Sequence, residues 1–283
     1  MIDRYLPARR AAAQSHSPGT DLPGPARRRG SAGGTVRILQ SGMPAWFAWQ
    51  LLLPLSLFVA ANFVLLQLGG DRWIAAHLYL WEGGRWALQD GFITSTLIHE
   101  GGKHLSVLAW LGVVACATVA WSKPAWQSWR RPLPYLALAV LLSTSVVAGM
   151  KAWTHVDCPW DLVGFGGTRS YHDLLAALPA HAPRGHCFPA GHASAGYAWV
   201  SLFFFFGSAR PRWRWGGLAA GLCAGLVFGV SQQLRGAHFA SHDAWALMVC
   251  WLVALLLHRI MLARGGATPA ARNADAVPAD GGR

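Results

Sequence analysis

The chain has 283 residues, of which 53% are hydrophobic and only 13% are charged, and its mean hydropathy is +0.30. This composition excludes an ordinary soluble domain, in which about 25% of residues are charged, and indicates an integral membrane protein. The net charge of +12 does not indicate a nucleic-acid partner, because the basic residues do not form one patch.

Six apolar runs follow one another along the chain, and most approach the roughly 20 residues that a helix needs to cross a bilayer. They predict an all-α, polytopic membrane protein with six transmembrane helices in one bundle. The fourth run is short, but its four consecutive phenylalanines at 203–206 make it strongly apolar, and we count it as a span. The runs lie at about 45–68, 105–121, 133–150, 193–207, 215–234 and 244–262.

Basic residues are distributed unevenly between the two sides of this predicted bundle. Of the 24 Lys and Arg residues, 17 lie before the first run, in the last turn of the final run (Arg259) or beyond it, or in the loops 123–131 and 210–214. Because cytoplasmic loops carry an excess of Lys and Arg, both termini and these two loops are predicted to be cytoplasmic. The remaining segments, at about 69–104, 151–192 and 235–243, then face outward, which predicts a multi-pass protein of the bacterial inner (cytoplasmic) membrane whose outward face is periplasmic.

The two ends of the chain have compositions typical of disordered tails. They are rich in Ala, Arg, Gly and Pro and lack hydrophobic periodicity. We predict a disordered basic cytoplasmic tail at 1–43, a six-span domain at 44–264 and a second disordered cytoplasmic tail at 265–283. The first apolar run begins too late and is too long for a secretory signal, so we expect it to remain as an uncleaved anchor.

Three outward-facing stretches carry most of the polar chemistry. Lys151 ends the third run, His192 begins the fourth, and His238 lies just beyond the fifth. In a helical bundle these positions can converge around one cavity, and ionisable residues at membrane depth are usually functional.

Two histidines, fixed cations and a glycine-containing helix start are the parts that phosphoryl transfer needs. A phosphate can bind cations and free backbone N–H groups at a helix N-terminus, which Ala190, Gly191 and His192 would supply. One imidazole can attack phosphorus while another protonates the leaving oxygen, so the chemistry requires no metal and no cofactor. A serine hydrolase fits less well, because no nucleophile elbow surrounds Ser194. The "HEGGKH" stretch at 99–104 does not predict a zinc site, because its second histidine comes one position too late.

Three motifs match a known pattern in order, spacing and predicted sidedness. They are "KAWTHVDCP" at 151–159, "PAGH" at 189–192 and "SQQLRGAH" at 231–238. Over about residues 45–262 the chain resembles the type 2 phosphatidic acid phosphatases, six-span lipid phosphatases related to the vanadium haloperoxidases. That family has arginine where the first motif has cysteine, serine where the second has alanine, and arginine where the third has glutamine.

The resemblance implies His238 as the nucleophile, His192 as the general acid and Lys151 as a phosphate ligand. The family also has an aspartate four residues after the nucleophile, where this chain has His242 followed by Asp243. We predict that Asp243, displaced by one position, orients His238, with His242 as the alternative.

Two of the family's three phosphate-binding cations are missing from their positions in this chain. Arg235 is a candidate replacement, because it lies three residues after Gln232 and would share its face of a continuing helix. Cys158 and Cys187 lie in the two motif-bearing ends of one outer loop. In an oxidising compartment a disulfide between them would pin the first motif against the helix that carries His192.

The sequence thus predicts a metal-independent lipid phosphatase that acts through a phosphohistidine intermediate on an envelope lipid. Candidate substrates are lipid A, undecaprenyl diphosphate and phosphatidylglycerol phosphate. The expected partners are the lipid phosphate and membrane lipids, with no nucleic acid and no obligatory protein partner. The alternatives are a protein that binds or transports an anion or lipid headgroup, and a catalytically degenerate relative. A transporter more often shows broken helices in two related halves, and none is evident.

Overall fold

A computed structural model describes residues 45–172 and 185–263, and the predicted tails at 1–43 and 265–283 lie outside these ranges. No strand occurs within the described residues, which confirms the all-α prediction. The α-helices are α1 Ala45–Asn62, α2 Gly70–Trp81, α3 Gly102–Ser122, α4 Pro132–Trp153, α5 Gly191–Tyr197, α6 Leu202–Ala209, α7 Arg214–Leu234 and α8 Ala240–Met261.

Short segments of other helical types join or extend these helices. Three of the 3₁₀ segments begin with proline, whose missing N–H and fixed φ suit the first position of a helix. The π-helical segments are Phe63–Gln67 and Phe92–Gly101, and the 3₁₀ segments are Pro124–Trp129, Pro159–Asp161, Val163–Phe165, Ala198–Ser201 and Pro211–Trp213.

Five helical stretches within the described residues are long and apolar enough to cross a membrane, so the chain is a multi-pass membrane protein. The first two expose their apolar side chains around the bundle, as lipid contact requires. Leu57 of α1 is 63% exposed and Leu105 of α3 is 67% exposed. The five stretches are Ala48–Gln67, Phe92–Ser122, Pro132–Trp153, Pro211–Leu234 and Ala240–Met261.

The fourth predicted span is not among these five, so the prediction of six spans is not confirmed. Its residues form α5 and α6, which are separated by the 3₁₀ segment Ala198–Ser201. This element packs against α3, α4, α7 and α8 and contributes many of the buried side chains of the core. Its two α-helices have only 7 and 8 residues and are therefore shorter than the helices of the five stretches. The element is enclosed mainly by protein.

Glycines on one face of α7 allow α5 and the adjoining 3₁₀ segment to approach closely. A Cβ atom on Gly225 would lie 1.9 Å from the Tyr197 ring, and one on Gly221 would lie 2.4 Å from the backbone nitrogen of Val200. Neither glycine could be replaced without a shift of these neighbours. The close packing fixes α5, which carries His192, against the helix that leads to His238.

We expect Gly225→Ala to destabilise the protein by about 1–3 kcal/mol, because the added methyl group overlaps the buried Tyr197 ring. Gly216→Ala in the same helix is the matched control, since a Cβ atom there would have no neighbour within 4 Å. Thermal unfolding of both variants in detergent measures the difference. Equal unfolding temperatures for the two variants would contradict the close packing of α5 and α7.

Candidate active site

Lys151 and His192 lie together at the start of α5. Lys151 is in the last turn of α4, and its Nζ atom lies 3.8 Å from the position that a Cβ atom on Gly191 would occupy. His192 is the second residue of α5. Both side chains line a groove of about 480 Å³ between α3, α4 and α5.

The rest of this groove is mostly apolar. Its walls include Val107, Trp110, Val140 and Leu141, and Leu141 is 43% exposed on the outside of the bundle. Lys103 lies with Lys151 among the lining residues. The groove therefore has the chemical character of a site for a molecule with an anionic group and an apolar body.

His238 and His242 form a buried pair at the junction of α7 and α8. Their Nδ1 atoms are 3.4 Å apart, and only 4% and 3% of the two residues is exposed. The backbone of Cys187 lies within hydrogen-bonding reach of both imidazoles. Burial holds the pKa of His238 well below its usual range, and the nearby His242 and Lys151 lower it further. His238 is therefore a neutral imidazole at neutral pH.

The structure separates Asp243 from His238. Its carboxylate accepts a hydrogen bond from the Gln233 amide at 2.5 Å, and its Oδ1 atom has no hydrogen-bond partner among the described residues. Consecutive residues on an α-helix project about 100° apart, so His242 and Asp243 cannot both face the nucleophile. The geometry favours His242, the alternative to the predicted Asp243, as the residue that orients His238.

Arg235 and Gln232 share a face at the end of α7, as the sequence predicts. The Arg235 side chain donates to the Gln89 carbonyl at 2.6 Å and to Gln232 Oε1 at 3.4 Å. Burial lowers the pKa of Arg235, while nearby Asp90 and Glu100 act in the opposite direction. Gln232 Nε2 is buried without a hydrogen-bond partner in the described part of the chain. It lines a small gap together with His192, so its amide donors are available to an acceptor there.

A disulfide joins Cys158 to Cys187, the two cysteines that the sequence analysis pairs. Cys158 precedes the 3₁₀ segment Pro159–Asp161, and Cys187 lies beside the buried histidine pair. Cys158 occupies the position where the resembling family has arginine. Its disulfide therefore holds the Cys187 backbone near the site.

The N–H groups at the start of α5 are only partly free. The sequence predicts that the Ala190 N–H is free to bind a phosphate. In the structure this N–H donates to the His242 carbonyl at 3.2 Å, so it is not available to a phosphate. Gly191, the next residue, lies beside the Lys151 ammonium group.

Two side chains near the site have no place in the sequence motifs. Asp71 of α2 is buried, and its carboxylate accepts a hydrogen bond from the Ser241 N–H at 2.9 Å. It thereby caps the first turn of α8, which carries His242. Burial raises the pKa of Asp71. The ring of His99 lies against that of His192, with 3.6 Å between the ring centroids. No local sequence signal connects Asp71 with α8, and the sequence analysis considers His99 only as part of the "HEGGKH" stretch that does not predict a zinc site.

These features define a helical membrane protein with a cationic groove and grouped histidines at one end of its bundle. Residues 132–265 match the family model of the PAP2 superfamily. The match includes Lys151, His192 and His238 and confirms the resemblance to the type 2 phosphatidic acid phosphatases. The match supports a phosphatase-type activity on lipid phosphates. No curated protein and no solved structure matches the chain.

Proposed function

We propose that the protein is a metal-independent lipid phosphatase that hydrolyses a phosphate monoester or diphosphate of an envelope lipid. The observation that carries this proposal is the placement of Lys151 and His192 at one apolar groove. The neutral imidazole of His238 lies near enough for both residues to lower its pKa. The groove suits a lipid body, and the cations suit its phosphate.

The phosphate would bind between Lys151, the start of α5 and the end of α7. Lys151 supplies the nearest positive charge, and Gly191 supplies backbone close to it. The free amide of Gln232 supplies hydrogen-bond donors where the resembling family has arginine. Arg235 donates hydrogen bonds to the Gln89 carbonyl and to Gln232 Oε1. Its positive charge therefore lies on the far side of Gln232 from the phosphate.

The reaction then proceeds in two displacement steps. With its Nδ1 atom engaged by His242, His238 attacks phosphorus through Nε2. Burial, with the nearby His99 and Lys151, lowers the pKa of His192 to about 3, so His192 takes up its proton as the negatively charged phosphate binds. The P–O bond to the lipid breaks and the leaving oxygen takes this proton, so that a monoester releases an alcohol and a diphosphate releases a lipid monophosphate. Water then attacks the phosphohistidine and its protons leave on the phosphate, so this step, which is common to all substrates, does not use His192. The N–P bond breaks, inorganic phosphate leaves, and His238 is regenerated.

The closed packing around His238 adds a requirement to this reaction. The groove reaches Lys151 and His192, but His238 does not line it and is 4% exposed. Phosphate binding must therefore move side chains between the groove and His238 before attack can occur. A closed site also excludes water until the substrate is in place.

We further propose a periplasmic site in the bacterial inner membrane, with both termini in the cytoplasm. The distribution of basic residues supports this orientation. The Cys158–Cys187 disulfide supports it independently, because disulfides persist in oxidising compartments such as the periplasm and are rare in the cytoplasm.

The test is phosphate release by the purified protein in detergent with EDTA present. The substrate panel contains lipid A, undecaprenyl diphosphate and phosphatidylglycerol phosphate, and boiled protein is the control. We expect release from at least one lipid at a rate that EDTA does not change. Loss of all release in EDTA would contradict the metal-independent mechanism. Binding of these lipids without release would instead support a headgroup-binding protein, and neither binding nor release would support a degenerate relative.

A further inference from the structure

The ring contact between His99 and His192 is not explained by the three motifs. The ring centroids are 3.6 Å apart and the ring planes are inclined by 39°. His99 lies before residue 132, where the match to the superfamily model begins. The residue therefore reaches the site from a part of the chain that the motifs do not cover.

The segment that carries His99 is fixed against α7. His99 is in the last turn of the π-helical segment Phe92–Gly101, and such segments are rare and frequently found at functional sites. Ser231 Oγ donates to the Thr94 carbonyl at 3.3 Å. At Gly102, a Cβ atom would lie 2.5 Å from the Phe228 ring, so the chain approaches α7 closely there.

The following helix is also fixed against α5. Ser106 Oγ donates to the Ala195 carbonyl at 2.9 Å and accepts a hydrogen bond from Trp199 Nε1 at 3.0 Å. Ala195 is three residues after His192. The backbones that carry His99 and His192 are thus tied together within about two helical turns of the ring contact.

We infer that His99 is a positioning residue that holds the His192 imidazole in the orientation for proton donation to the leaving oxygen. The inference rests on the proposed role of His192 as general acid. The contact restricts rotation of the His192 side chain, and it does so without a charge on either ring. The ligand chemistry concerned is an alkyl phosphate, whose leaving oxygen is a strong base and needs a proton.

Substrates with different leaving groups test this role. Each protein is assayed with the lipid phosphate monoester that the panel identifies, whose leaving oxygen is strongly basic, and with p-nitrophenyl phosphate, whose leaving group needs no protonation. We expect His99→Ala to lower kcat for the lipid by roughly tenfold and kcat for p-nitrophenyl phosphate by less than about twofold. His99→Phe keeps the ring contact and should retain most of the lipid activity. His104→Ala, at an exposed position of α3, is the control and should match the wild type.

The ratio of the two rates does not depend on the fraction of protein that is folded. An equal loss for both substrates, or no loss for the lipid, in His99→Ala would overturn the inference. So would a His99→Phe variant as impaired as His99→Ala. In the same assays, full activity of His238→Ala would overturn the proposed function itself, whereas an inactive His238→Ala beside a wild-type-like His99→Ala would overturn only the role of His99.

Discussion

Replacement of His238 by alanine is expected to lower phosphate release by roughly 10³-fold or more, because it removes the atom that bonds to phosphorus. The loss should be equally large for the lipid phosphate and for p-nitrophenyl phosphate. Covalent attack on phosphorus is required whichever group leaves. The measurement is phosphate release with EDTA present, at matched concentrations of folded protein.

Two further variants separate this role from a general effect of removing a histidine. His192→Ala should lose activity on the lipid but keep much of its activity on p-nitrophenyl phosphate, because only the lipid oxygen needs a proton. His186→Ala, at an exposed position beside Cys187, should leave both rates unchanged. A His238→Ala variant that retains a substantial rate on either substrate would show that another group attacks phosphorus.

Replacement of Lys151 by methionine is expected to lower kcat/KM by roughly 10²-fold, because it removes the cation nearest the start of α5. Methionine keeps much of the apolar stem that lines the groove, so the change acts mainly on charge. Since two of the family's arginine positions are Cys158 and Gln232 here, few other cations can compensate.

The matched control for this change is Lys123→Met, which removes an exposed lysine from the loop after α3. Lys151→Arg keeps the charge and should retain more activity than Lys151→Met. Equal kcat/KM values for Lys151→Met and Lys123→Met would rule out phosphate binding by Lys151. Weaker inhibition by inorganic phosphate in Lys151→Met alone would support it.

The sequence by itself determined the helical membrane class and most helix positions, because runs of apolar residues are a local property of the chain. It also indicated the resemblance to the superfamily, because the order and spacing of motifs can be read without knowing how the helices pack. The pairing of Cys158 with Cys187 followed from their positions in one outer loop, and the structure contains that disulfide. The roles of Lys151, His192 and His238 remain proposals that rest on these motifs.

Only the tertiary structure decided which neighbour faces each of these residues. The sequence predicted Asp243 as the residue that orients His238, whereas the geometry favours the alternative, His242, because a shift of one residue turns a helical side chain by about 100°. It could not show that the Ala190 N–H is taken by the His242 carbonyl. Nor could it connect Asp71 with Ser241 or His99 with His192, which are far apart in sequence. Such contacts depend on how helices pack, and packing is set by the fit of side chains from the whole bundle.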